Sequence, residues 1–425
     1  MDFNYIPLVA IPQHDIYFGL HEYQVRNTVN KHVTRRVPFR QLFRSSRNKT
    51  SIQPTSFTTR VKKRYRQWTE ERHRRRLLVN IMKLIYKRRF VKRILFGTGI
   101  CLLLVFIFIF IIIPLVYKNS YSFQRSLLFL NFVNIPVNFK SPSSLGLDGA
   151  RNFYLTTEDN VTLGVWQILP QLLLPKLKAS EFSEKDYENA LGDGTPVFIY
   201  MHGNSGNRGS AHRVELYKIL QQNNYHVVAF DYRSYGDSSP VEPSESGVVS
   251  DSKAVYNWVK SHSNGAKIYF WGHSLGTGIS SHLLDVLESE GRTISGLVLE
   301  APFNNMCDEV RSYPLAKMFR YLPWFDFFFT EPMYENGLKF QSDRHLVKVK
   351  APILILHAED DLVIPIQLGL KLYETVQSSR QGKSPIKFIK FDKNLHFGHK
   401  FIYKDTGLSS TIKDFVKESS KYKPF

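Results

Sequence analysis

The stretch Ile94–Tyr117, ILFGTGICLLLVFIFIFIIIPLVY, runs for 24 residues without a charged side chain. Inside a hydrocarbon layer every backbone N–H and C=O needs a partner within the segment, which restricts such a stretch to a helix. As a helix it reaches about 36 Å, enough to cross a bilayer with some tilt. A core helix is rarely apolar on every face over that length, so one membrane span is expected at 94–117. The stretch starts far from Met1 and lacks the short apolar region and small-residue cleavage site of a signal peptide.

The charge divides sharply at this stretch. Residues 1–93 carry 23 Lys/Arg against 5 Asp/Glu, and residues 94–425 carry 34 against 32, so the net charge of +20 belongs almost wholly to the tail. Lys87, Arg88, Arg89, Lys92 and Arg93 precede the span, whereas only Lys118 and Arg125 follow it closely. The excess of positive charge predicts a cytosolic tail (1–93) and puts 118–425 across the membrane. An endoplasmic reticulum membrane with the large domain lumenal is expected, or an extracellular domain if the chain reaches the plasma membrane. Asn160-Val161-Thr162 is a glycosylation acceptor on that side; Asn48-Lys49-Thr50 also fits the pattern but falls in the tail. The tail is expected to be largely disordered, ending in a juxtamembrane basic helix over 60–93 drawn to anionic lipids. Membrane topology accounts for its charge, so no nucleic-acid partner is expected.

After a neck at 118–150, residues 151–425 read as one domain. Two strands meet at Glu158-Asp159-Asn160, and strands then alternate with helices: 196–201, 226–231, 267–271, 293–300, 351–357 and 386–391 as strands, with helices at 211–222, 248–261, after 274, 366–376 and 411–419. This alternation predicts an α/β fold with a doubly wound, mostly parallel sheet. Cys101 and Cys307 provide no disulfide framework, and no cysteine–histidine cluster marks a metal site; neither metal nor cofactor is expected.

Gly272-His273-Ser274-Leu275-Gly276 fits G-x-S-x-G between a short apolar strand and a helix, the setting in which a serine stands exposed on a tight turn. A serine hydroxyl attacks only when a base takes its proton. Candidates follow two later strands: Glu359, Asp360 and Asp361 among the acids, His396 and His399 among the bases, with spacing only slightly favouring Asp361 and His399. The order nucleophile, acid, histidine is that of α/β-hydrolases. The glycine-containing loop His202-Gly203-Asn204-Ser205-Gly206 is the expected source of an oxyanion hole, through the backbone amides of Asn204 and Leu275.

These residues carry a resemblance. Segment 196–405, through HGN, DYR, GHSLG and HAEDD, resembles the α/β-hydrolase-domain serine hydrolases. HRVELYKIL, YHVVAFDYR, LILHAEDD and HKFIYK, with the single span and its basic flank, resemble their membrane-anchored lysophosphatidylserine-lipase and monoacylglycerol-lipase branch. The resemblance implies Ser274 as nucleophile, Asp361 as acid and His399 as base. Ser234, Ser205 and Leu362 depart from the usual glycine, alanine and proline of the pattern, and Ser234 is expected to alter a turn near the pocket.

A cap is expected at about 303–340, where Tyr313 to Phe329 hold the densest aromatic cluster of the chain. An acyl-chain hydrolase needs an apolar tunnel, so Trp324 and Phe328 are expected substrate contacts and a lipid ester the expected substrate. Arg208 is an expected contact for an anionic headgroup, with Arg213 beside it. The leading expectation is a membrane-anchored serine esterase acting on lysophospholipids, and on monoacylglycerols, through an acyl-enzyme. A thioesterase or acyltransferase on the same fold, or a non-catalytic membrane adaptor, are the alternatives.

Overall fold

A computed structural model describes residues 56–179, 182–380 and 384–422. The expectations for residues 1–55, including the Asn48 acceptor, lie outside them. Residues 1–96 and 97–425 form separate units.

Eight strands build the sheet: β1 (Ala150–Thr156), β2 (Thr162–Ile168), β3 (Val197–Met201), β4 (His226–Phe230), β5 (Ile268–His273), β6 (Gly296–Glu300), β7 (Ile353–Ala358) and β8 (Ile386–Phe391). Their order is β1-β2-β4-β3-β5-β6-β7-β8. The first two pairings, β1 with β2 and β2 with β4, are antiparallel, and the remaining five are parallel. This is the mixed, doubly wound sheet that the alternation predicts. The central strands are buried on both faces, which is why they read as continuous apolar runs. Val197, Ile199 and Met201 join one core with helix Leu275–Ser289, while Phe198 and Tyr200 point into the other with helix Ala211–Gln222.

Two segments outside the sheet also take regular form. The connector after β2 folds into helices Leu174–Ala179 and Glu184–Ala190, the second held by a reciprocal Ser183–Asp186 cap. The neck at 118–150 packs against the domain. Helix Tyr121–Phe129 is capped by Ser120 and ends at a fully buried Phe129, and Leu147 is fully buried too.

Among the described residues, one helix is long and apolar enough to cross a membrane. It runs Ser56–Ile107, passes through a π-turn at Phe108–Ile112 and continues as Ile113–Asn119. Up to Phe106 its apolar side chains are exposed, Leu102 at 65 % and Phe106 at 54 %, whereas Tyr117 near its end is buried. The π-turn has a local cause: the ring of Pro114 clashes with the carbonyl four residues back, and one wider turn relieves it. The cap repeats the device, with a π-turn at Asp326–Thr330 just ahead of Pro332.

The cap comprises helix Met306–Ser312, a 3-10 turn at Pro314–Met318, the second π-turn and helix Glu331–Glu335. Its aromatic cluster closes partly on the end of the apolar helix: Phe110 meets Phe319 at 5.4 Å and Tyr117 meets Phe329 at 5.2 Å between ring centroids.

Candidate active site

Ser274 stands between β5 and helix Leu275–Ser289 with φ 53° and ψ −120°. A non-glycine residue there is strained by about 1–3 kcal/mol, so the surroundings must impose it. The Ser274 amide donates to the Glu300 carbonyl at 3.0 Å, and its own carbonyl accepts from Thr277 Oγ1 at 2.6 Å. The flanking glycines have a steric cause: a Cβ on Gly276 would collide with the Met201 carbonyl, and one on Gly272 with the Gly276 backbone. Among the described residues the Ser274 hydroxyl has no hydrogen-bond partner.

Of the candidate acids and histidines, the structure brings Asp361 and His399 together. His399 Nδ1 donates to Asp361 Oδ2 at 2.7 Å. The other oxygen, Oδ1, accepts the Val363 and Ile364 amides at 2.8 and 2.9 Å. Burial pushes the Asp361 carboxyl up, but His357 and His399 beside it outweigh this and hold it well below the usual carboxylate range. With Nδ1 carrying the hydrogen, Nε2 of His399 keeps the lone pair a base requires. Asp360 is spent elsewhere, accepting the Gly398 amide at 3.0 Å, and His396 is exposed in a left-handed turn at φ 53°.

A residue the sequence reading passed over joins the two halves. His273 Nε2 donates to the His399 carbonyl at 2.9 Å, and the two rings lie 5.0 Å apart. The histidine loop is thereby tied to the residue preceding Ser274. Burial holds the His273 imidazole well below its ordinary pKa, keeping it neutral for this role.

The 202–207 loop borders the serine from the β3 side. A Cβ placed on Gly203 would come within 3.2 Å of Ser274 Cβ, and His202 Nδ1 donates to the Gly203 carbonyl at 2.7 Å. Among the described residues the backbone N–H groups of Asn204 and Leu275 have no hydrogen-bond acceptor, as is ordinary for Leu275 at the first turn of its helix.

The expected headgroup contact Arg208 is corrected by its surroundings. It is fully buried, and its guanidinium is consumed by Asp231 at 2.5 Å, Asp237 at 2.7 Å and Asn152 at 2.7 Å. Aspartates reached only through the fold turn this arginine inward, an arrangement that spacing along the chain does not reveal. Arg213, 2 % exposed, faces inward as well and donates to the carbonyls of Asn207 and Ser205 at 2.6 Å each. Trp324 and Phe328 are half-buried and meet edge to face at 5.5 Å. Ser234 keeps the turn its glycine counterpart would make, at φ 67°, with its hydroxyl accepting from Asn131 at 2.7 Å. Asn160 is exposed at the β1–β2 turn.

Glu245, His282 and His345 bring three possible ligand atoms within 4.8 Å. The two imidazoles stack at 4.3 Å and 14°, so their lone pairs run side by side instead of converging, and each ring is bonded to its own carboxylate, Glu245 or Asp285. The group acts as a clasp: Glu245 also accepts the Lys339 and Phe340 amides where the cap returns to the core.

Similarity to known proteins agrees with this fold. Residues 196–331 match a family model described as alpha/beta hydrolase fold. Lysophosphatidylserine lipase ABHD12 of Danio rerio is 42 % identical over 308 residues, covering 72 % of this chain and 80 % of that protein. The protein of the same name from Rattus norvegicus is 41 % identical over 310 residues, covering 72 % and 77 %. Among solved structures, an alpha-beta hydrolase from Vibrio vulnificus superposes with a TM-score of 0.50 at 16 % identity, over 71 % of this chain and 91 % of that one, which speaks to the fold. The chain belongs to the ABHD12 family of α/β-hydrolases.

Proposed function

We propose that this protein is a membrane-anchored serine hydrolase that cleaves the acyl ester of lysophospholipids. Its relatives carry the name lysophosphatidylserine lipase, and the observation that supports the chemistry is the strained Ser274, whose neighbour His273 bonds the backbone of a His399 locked to a buried, ionised Asp361. Ser274 attacks the ester carbonyl as His399 Nε2 takes its proton. The amides of Asn204 and Leu275 receive the negative oxygen, and the protonated histidine then gives its proton to the leaving alcohol. Water activated by the same histidine releases the fatty acid. Asp361 holds the ring in the tautomer this sequence needs.

The domain sits on the lumenal or extracellular side, tethered by the 94–117 span, within reach of lipids that leave the bilayer one chain at a time. The half-buried aromatic side chains of the cap, Trp324 and Phe328 among them, supply apolar surface for that chain, at about 0.8 kcal/mol per methylene buried. The test is hydrolysis of lysophosphatidylserine, other lysophospholipids and monoacylglycerols by detergent-solubilised wild type beside Ser274→Ala. Turnover rising with chain length from acetyl to dodecanoyl below the micelle threshold, and absent in Ser274→Ala, supports the reading. A flat profile rejects the acyl-chain assignment, and an active Ser274→Ala rejects the nucleophile.

A further inference from the structure

The loop carrying the Asn204 amide is held in large part by a segment far away in sequence. The Asn204 side chain donates from Nδ2 to the Leu128 carbonyl at 3.1 Å. The Tyr235 hydroxyl lies between the carbonyls of Phe129 and Asn204, 3.1 Å from the latter. Further along, the Gly206 amide donates to the Val133 carbonyl at 2.9 Å. Asn207 Nδ2 donates to both Asn134 Oδ1 and the Ile135 carbonyl, each at 2.7 Å. Residues 128–135 therefore run along the loop as a strap, with the Arg213 guanidinium bracing the loop's carbonyls.

The strap is itself well anchored. Phe129 is fully buried and meets Phe340 edge-on at 6.3 Å. Ahead of it, the buried Gln124 donates to the Tyr117 carbonyl at 2.8 Å and accepts from Asn336 at 2.9 Å. The chain reverses at Leu130, in the left-handed region at φ 46°. An oxyanion donor works only when fixed before the reaction, because moving it into place would consume the stabilisation it provides. A glycine-containing loop has little rigidity of its own.

We propose that the segment joining the apolar helix to β1 is a working part of the active site: residues 128–135, with Tyr235, are positioning residues that hold the Asn204 amide where the oxyanion forms. This rests on the assignment of Ser274 as nucleophile and of the Asn204 amide as its oxyanion donor. It also makes the anchor-proximal segment inseparable from catalysis, so the catalytic unit starts before residue 128 and not at 151.

The experiment uses the full chain in detergent, with p-nitrophenyl butyrate as substrate and a fluorophosphonate as a probe whose oxygen occupies the same amides. Asn134 is exposed, so its replacement spares the core. Asn134→Leu removes the acceptor, Asn134→Asp keeps it, and Tyr235→Phe removes the shared hydroxyl. We expect kcat to fall about threefold to tenfold in Asn134→Leu and about tenfold to a hundredfold in Tyr235→Phe, less than loss of an oxyanion donor outright. KM should stay within about twofold, the fluorophosphonate rate should fall by the same factor as kcat, and Asn134→Asp should retain most activity. Wild-type kcat in both Asn134→Leu and Tyr235→Phe, or an equal loss in Asn134→Asp, overturns the strap. Labelling of Ser274→Ala by the fluorophosphonate overturns the underlying assignment instead, and with it the strap.

Discussion

His273 donates from Nε2 to the backbone carbonyl of His399 at 2.9 Å, so the residue beside the strained serine holds the loop that bears the proposed base. The base thus has two supports, Asp361 on its ring and His273 on its backbone. His273→Ala should lower kcat about tenfold with little change in KM, since a slightly misplaced base loses rate and not binding. His396→Ala, on an exposed turn, should stay within about twofold of wild type. Initial-rate kinetics on a short ester distinguish them; the reverse ranking would move the base to His396.

Asp361→Asn preserves shape but favours the wrong histidine tautomer, and should cost about 10⁴ in kcat. Asp360→Asn should cost far less, because an amide oxygen still accepts the Gly398 N–H. Single-turnover acylation rates of the two variants test the choice between neighbouring carboxylates.

Arg208 is a structural ion-pair partner. Arg208→Met leaves Asp231 buried without its cation and should destabilise the fold by about 3–5 kcal/mol. Thermal unfolding should show the loss. Activity that survives in Arg208→Met should fall equally on lysophosphatidylserine and on a neutral monoacylglycerol; a selective loss on the anionic lipid would restore the headgroup role.

Glu300, 5 % exposed at the end of β6, bonds its carboxylate to Trp271 Nε1 at 2.9 Å, and burial pushes its pKa up to about 7. A raised carboxyl binds its proton more tightly folded than unfolded, so its contribution to stability is complete below about 4.5 and is lost as pH rises through about 7. Wild type should therefore lose more Tm than Glu300→Gln between pH 5 and pH 8. The buried His273 and His202, both held low by desolvation, act in the opposite direction below their ordinary pKa, but equally in the two proteins. Parallel Tm profiles for the pair would show that Glu300 is ionised in the fold.

The exposed Asn160 at the β1–β2 turn tests topology. Asn160→Gln should abolish a glycosidase-sensitive mass shift in expressing cells if the domain is lumenal. Protease added to intact microsomes should remove the tail and spare the domain; protection of the tail instead would reverse the orientation.

Much of this protein was legible along the chain because its signals are local. A charge-free run of 24 residues is expected to be helical in a bilayer, buried parallel strands read as apolar runs, and Ser274 sits in a G-x-S-x-G pentapeptide between a strand and a helix, although Gly276 answers to β3 across the sheet. Local signals also narrowed the candidates to three adjacent acids, Glu359 to Asp361, and two histidines, His396 and His399. That Asp361 and His399 meet, while Asp360 turns to the Gly398 amide, depends on side-chain direction across two loops 38 residues apart, which spacing does not encode. The same holds for Arg208. Its motif position beside the oxyanion loop suggested a substrate contact, but Asp231 and Asp237 meet it only after β4 pairs with β2 and β3. The strap at 128–135 left no trace in periodicity, because it works through backbone carbonyls, which every residue carries. Only the tertiary fold determines which amide each of them meets.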